Sequence, residues 1–223
     1  MQVTPTNMQT IFITGGTGYI GSRLIKALLQ TGEYSIKALA RKGSEHKLPP
    51  GCEVVTGNAL DAATYTAAAA GADVFVHLIG VPHPSPAKKA AFETIDLVSV
   101  QQAAAVVRNN RLPHVVYGSV SQYPGNLMKE YRQVRATGEA LLKATGTQCS
   151  FIRPWYVLGP GHWWPVLLMP LYALARLIPA TREQSRQQGL VTIHQMIRTL
   201  YYAIKHQPEN GVAVYNVPEI KTF

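Results

Sequence analysis

The sequence predicts an α/β fold, a doubly wound parallel sheet followed by a small C-terminal helical and strand subdomain. Three observations carry this expectation. Short β-branched or apolar runs recur along the chain, segments of helical period separate them, and the connections are long enough for right-handed crossovers between parallel strands. The strand candidates are 10–14, 35–40, 53–56, 73–79, 114–119 and 148–153, with a last one at 212–217. Helices of about 10 to 18 residues are expected between them. In the first, Ile20, Leu24, Ala27 and Leu28 form one apolar stripe suited to packing on a sheet. Near the end of the chain, Thr192 and Gln195 have capping-box spacing for a helix carrying Met196, Ile197, Leu200, Tyr201 and Ile204.

Composition narrows the function classes. With 223 residues, 47% of them hydrophobic and 15% charged, the chain has the length and apolar content of one α/β domain. We place a soft boundary after residue 154, so that 1–154 is the main unit and 155–223 a segment integrated with the same domain. No repeat or low-complexity linker divides them. Cys52 and Cys149 lie far apart and have no Cys or His at zinc-ligand spacing, so neither a disulfide framework nor a metal site is expected. The opening MQVTPTNMQT lacks a basic region followed by an apolar run, which predicts no signal peptide and a cytoplasmic location. Net charge is +9, but the basic residues are scattered in ones and twos, such as Arg41 with Lys42 and Lys88 with Lys89. An extended nucleic-acid track needs clustered cations with interleaved aromatics, so no nucleic-acid partner is expected.

The first turn carries the chemistry. In Thr14, Gly15, Gly16, Thr17, Gly18, Tyr19, Ile20, Gly21, three glycines recur at i, i+3 and i+6 directly after a strand and at the start of a helix. Glycine permits the left-handed turn and a close backbone approach, while the helix start presents free N–H groups and a partial positive charge to phosphate. A dinucleotide-binding Rossmann turn is the expectation, with Gly15, Thr17, Gly18, Tyr19, Ile20 and Gly21 against the ligand.

This TGxxGxxG pattern resembles the extended and atypical short-chain dehydrogenase/reductases, which include NAD-dependent epimerase/dehydratase-like and NmrA-like proteins. The likeness covers most of the chain. VVTGNALDAATYTAAAAGADVFVHLIG resembles the family's third strand, helix and fourth strand, and EYRQVRATGEALLKATGTQCSFIRPWYVLGPG its active-site helix, sixth strand and covering loop. The resemblance implies that Asn58, Ala59 and Leu60 edge the adenine, that Leu78, Ile79 and Gly80 line the cofactor's middle, and that Pro154, Tyr156 and Val157, with Trp155, cover the nicotinamide side.

Cofactor choice is read at the end of the second strand, where an NAD enzyme has an acid about 20 residues beyond the glycines to hold the ribose 2′-hydroxyl. Here the segment is Ala38, Leu39, Ala40, Arg41, Lys42. A guanidinium and an ammonium suit a 2′-phosphate, so NADP(H) is expected ahead of NAD(H).

In the family a Tyr gives the proton, a Lys four residues on lowers its pKa and holds the ribose, and a Ser orients the substrate oxygen. Tyr131 has the required spacing, but the partner is Arg135, whose planar fork is not a compact ammonium. The usual serine falls at Val120, with Ser119 and Ser121 on either side. Ser119 is expected to contact a cofactor carbonyl and Ser121 to replace the catalytic hydroxyl. Tyr131 reads almost equally well as an amphipathic-helix residue at the sheet edge. His83 and His162 are alternative proton donors on loops at the same edge.

The segment Trp163 to Ala180, WWPVLLMPLYALARLIPA, is strongly apolar but broken by Pro165, Pro170, Pro179 and Arg176, which argues against a transmembrane helix. Subdomain core, wall of an apolar substrate pocket, and a homodimer or membrane-adjacent contact compete for it. Two functions follow. One is an NADPH-dependent reductase of a small apolar carbonyl or quinone-like substrate. The other is a non-catalytic NADP(H)-binding sensor or accessory protein, resembling the nitrogen-regulation redox sensors or the reductase-like accessory subunit of respiratory complex I.

Overall fold

β1 (Gln9–Thr14) starts a sheet whose period-two side chains are buried on both faces, as a parallel sheet covered by helices requires. The structure is a computed structural model that describes residues 8–161, 166–167 and 179–223. α1 (Tyr19–Thr31) crosses to β2 (Tyr34–Ala40), followed by β3 (Glu53–Thr56), a four-residue α2 (Thr66–Ala69) and β4 (Val74–His77). A one-turn helix, Lys89–Ala91, and a π-helical stretch, Phe92–Leu97, lead into α3 (Val98–Asn110). β5 (His114–Gly118), α4 (Lys129–Lys143) and β6 (Gln148–Arg153) complete the alternation. The last third contributes β7 (Tyr156–Leu158), α5 (Pro179–Gln187), β8 (Leu190–Thr192), α6 (Ile193–Lys205), β9 (Val212–Asn216) and α7 (Val217–Ile220).

The main sheet has seven strands in the order β3-β2-β1-β4-β5-β6-β9, all parallel, and β7 pairs with β8 in a separate parallel ribbon. The order reverses direction between β1 and β4, so the carboxyl ends of those strands open a crevice where ligands bind in such sheets. Ile11 and Ile13 face one core, formed with Leu24, Ile25 and Leu28 of α1 and Met196, Leu200 and Ile204 of α6. Phe12 faces the other, with Val100, Ala103 and Val107 of α3 and Leu142 of α4. Residues beyond 154 thus supply both an edge strand of the main sheet and a helix of its core.

Two expectations need correction. No long helix joins β2 to β3: Gly43, Pro49, Pro50 and Gly51 break the connection, which holds only the short turn Glu45–Lys47. The helix between β3 and β4 is likewise a single turn. The capping box forms as its spacing predicts, with Gln195 N–H donating to Thr192 Oγ1 at 3.1 Å and Thr192 N–H to Gln195 Oε1 at 2.9 Å. His162 and most of the 163–180 segment lie outside the described residues.

Candidate cofactor site

The glycines of the first turn are there for space as well as for dihedral angle. Gly15 has φ +81°, and a Cβ on it would stand 2.7 Å from the Leu78 carbonyl group. A Cβ on Gly21 would fall on the Gly15 carbonyl oxygen and 2.9 Å from Gly16 Cα, so α1 approaches the end of β1 as closely as a backbone can. Gly18 N–H closes the turn on Gly15 O at 3.0 Å. The α1 N-terminus has no side-chain cap and no acid in its first turn. A helix start of this kind carries a partial positive charge that suits an anion.

From this turn a cleft of about 420 Å³ runs along the carboxyl edge of the sheet. Gly15, Gly18, Tyr19, Ile20 and Gly21 form one end, Leu78 to Pro84 and Gly118 to Val120 the floor, and Tyr131, Pro154 to Val157 and Met196 the far wall. Thr17 is half-buried in the turn itself. Arg41 and Lys42 are exposed just past the end of β2, which lies beside β1 in the sheet. Asn58, Ala59 and Leu60 follow β3 on the same edge, where Asn58 Oδ1 accepts the Leu60 N–H at 3.1 Å and Ala59 is buried. None of these five residues lines the cleft; they follow β2 and β3, which lie on the other side of β1 from β4. His83 lines the floor with its backbone in the left-handed region at φ 49°.

The far end departs from the expected pattern. Tyr131 packs on Phe92 with ring centroids 4.9 Å apart, and the Arg135 guanidinium lies 5.2 Å from its ring centroid. Arg135 is only 4% exposed and reaches the cleft from beneath. Its Nη1 donates to Ile79 O and Gly118 O, each at 3.1 Å, and to the Tyr117 hydroxyl at 3.3 Å, while Nη2 pairs with Asp96. Both terminal nitrogens thus serve the floor, while Nε is buried without a hydrogen-bond partner. Burial raises the Asp96 carboxyl pKa, against the opposing pull of Arg135 and of the Val81 N–H at 3.1 Å.

Both serine hydroxyls have protein partners. Ser121 is buried, and its hydroxyl donates to Gln187 O at 2.9 Å rather than lining the cleft. Ser119 lines the cleft, but its hydroxyl donates to Glu139 Oε1 at 2.6 Å. That carboxylate is held by Arg153, whose Nε donates to the same oxygen at 2.8 Å. With that proton on Glu139, the Ser119 hydroxyl turns its acceptor lone pairs to the cleft. Deeper still, His77 is fully buried between Thr14 and Ser99, with Nδ1 2.7 Å from Thr14 Oγ1 and Nε2 3.2 Å from Ser99 Oγ. Because Ser99 donates to Asp96 O at 2.9 Å, it must accept from His77 Nε2–H. Burial, helped by the nearby Arg135, lowers the His77 pKa to about 3.

Sequence reasoning missed Asp96, Glu139, Arg153 and His77. The available signal was charge in apolar company: Asp96 stands between Ile95 and Leu97, and His77 between Val76 and Leu78. No group of three or more His, Cys, Asp or Glu among the described residues could hold a metal ion. Among the same residues, no helix is long and apolar enough to cross a membrane.

A family model described as NAD(P)H-binding matches residues 15–159, from the glycine turn through the far wall of the cleft. The chain belongs to this NAD(P)H-binding family. Its fold is of the short-chain dehydrogenase/reductase type. WbmH of Bordetella bronchiseptica, solved with NAD+, superposes with a TM-score of 0.69 at 19% identity, over 94% of this chain and 75% of that one. A UDP-glucose 4-epimerase of Thermotoga maritima, solved with UDP-glucose, gives 0.71 at 15% identity, over 93% and 77%. A ceramide reductase of Caulobacter vibrioides is 26% identical over 178 residues, which are 79% of this chain and 55% of that protein. The chain thus spans about half the length of that curated relative.

Proposed function

We propose that this family member binds NADP(H) in preference to NAD(H) and reduces an apolar carbonyl or quinone-like compound, with Tyr131 as the proton donor. One observation carries the reading: a single cleft has an uncapped helix start and a glycine cradle at one end and the Tyr131 side chain at the other. Gly15, Gly18 and the first turn of α1 would hold the pyrophosphate, and Arg41 and Lys42 the 2′-phosphate. When bound, NADPH supplies a hydride. Tyr131 gives the proton to the substrate oxygen, with the Arg135 guanidinium 5.2 Å from its ring centroid. Val81, Pro82, Val120, Trp155 and Met196 make the far end apolar and exclude water. The ceramide reductase likeness supports an apolar carbonyl substrate.

A second reading, an NADP(H)-binding sensor or accessory protein without turnover, draws on the commitment of Arg135 to the floor and the turn of Ser121 away from the cleft. NADPH oxidation measured across long-chain ketones, aldehydes and quinones separates the two. The reductase reading expects turnover that Tyr131→Phe lowers by about 100- to 10,000-fold at unchanged NADPH affinity. Tight NADPH binding with no oxidation of any substrate would favour the second reading.

A further inference from the structure

Asp96 is a buried acid that the proposed chemistry does not use. It is 1% exposed and sits in the π-helical stretch Phe92–Leu97, an irregularity that recurs at functional sites and here sets a carboxylate beneath the cleft. Its oxygens divide their work: Oδ1 pairs with Arg135 and Oδ2 accepts the Val81 N–H. Arg135 passes the constraint on to Ile79 O, two residues past β4, and to Gly118 O at the end of β5. A Cβ on Gly80 would strike the Arg135 guanidinium, so the backbone between Ile79 and Val81 rests directly on it. Ile79, Gly80, Val81 and Gly118 all line the cleft. One ion pair therefore ties the end of β5 to the first residues of the loop after β4, which form the floor.

We propose that Asp96 is a positioning residue: acting through Arg135, it holds the floor under the nicotinamide half of the cleft in its binding shape, while the adenosine half is independent of it. This rests on the NADP(H) reading above. An arginine can do this work where a lysine could not, because its fork addresses a carboxylate and two carbonyls at once. The departure at residue 135 thus goes with a change of task, from touching the ribose to shaping what the ribose and nicotinamide lie on.

Calorimetric titration of the full chain with NADPH and with adenosine 2′,5′-bisphosphate, which carries only the adenosine half, tests this. Asp96→Asn should weaken NADPH by about tenfold and leave the bisphosphate unchanged, the size expected for loosening a hydrogen-bonded charge. Should the single variant not fold, Asp96→Asn with Arg135→Gln removes both charges, leaves no unpaired buried ion, and should show the same split. Equal weakening of both ligands, or no weakening of either, would overturn the proposal. If the unaltered protein bound the bisphosphate and NADPH no better than NADH, the NADP(H) reading itself would fall, and this inference with it.

Discussion

The two ends of the cleft obey different rules. At the glycine turn, every requirement for holding a pyrophosphate is met by backbone: a left-handed Gly15, a Gly21 with no room for a side chain, and an uncapped helix start. At the Tyr131 end the groups are side chains, and their partners lie elsewhere in the fold. Arg135 serves the floor, and the Ser119 proton serves Glu139. The difference teaches that binding and chemistry in this fold are separately encoded: a chain can keep the first whole while rebuilding the second.

The sharpest way to break the comparison is at the glycine end. Gly21→Ala places its Cβ on the Gly15 carbonyl oxygen, so α1 must retreat from β1 and lose its approach to the phosphates. Calorimetry should show NADPH affinity falling by about 100-fold or more, roughly 3 kcal/mol, with overpacking costing about 1 to 3 kcal/mol of stability in a thermal melt. An unchanged affinity would detach the cofactor from this turn.

Acid sharpens the contrast from the other end. His77 beneath the floor is held neutral with its pKa lowered to about 3, and His114, at the start of β5, is lowered by burial to about 4. Unfolded histidine takes up a proton near pH 6.5, so the unfolded chain gains protons first as pH falls. The stability tied to these residues is complete above that value and declines down to the folded pKa values, by about 1.4 kcal/mol per pH unit for each histidine. Melts at pH 7.5 and 5 should differ by about 4 kcal/mol for the pair, and His77→Gln should remove about half of that difference. A flat profile would mean that the Thr14–His77–Ser99 chain does not keep its histidine neutral.

Much of the fold is legible in the sequence because both of its periodicities are strong. Runs such as 53–56 and 148–153 coincide with β3 and β6, and Thr192 with Gln195 marks the start of α6. The failures are local. Proline and glycine in 43–51 leave no helix before β3, and the three-residue strands β7 and β8 have no period long enough to detect. The glycine end of the site is legible for the same reason as the fold: backbone needs dictate residue type. The other end is not, because hydrogen-bond direction depends on partners distant in sequence. The Ser119 hydroxyl donates to Glu139, 20 residues on, a partner that no local pattern announces. Arg135 pairs with Asp96, 39 residues back, as well as lying beside Tyr131.

The central claim is that the cleft is built for a dinucleotide carrying a 2′-phosphate. Titrating the unaltered protein and Arg41→Ala with NADPH and NADH by calorimetry tests it most directly. NADPH should bind the unaltered protein tighter than NADH by about tenfold or more, the worth of a charge-assisted fork to phosphate, and Arg41→Ala should erase most of that margin. Equal affinities in the unaltered protein would contradict the account.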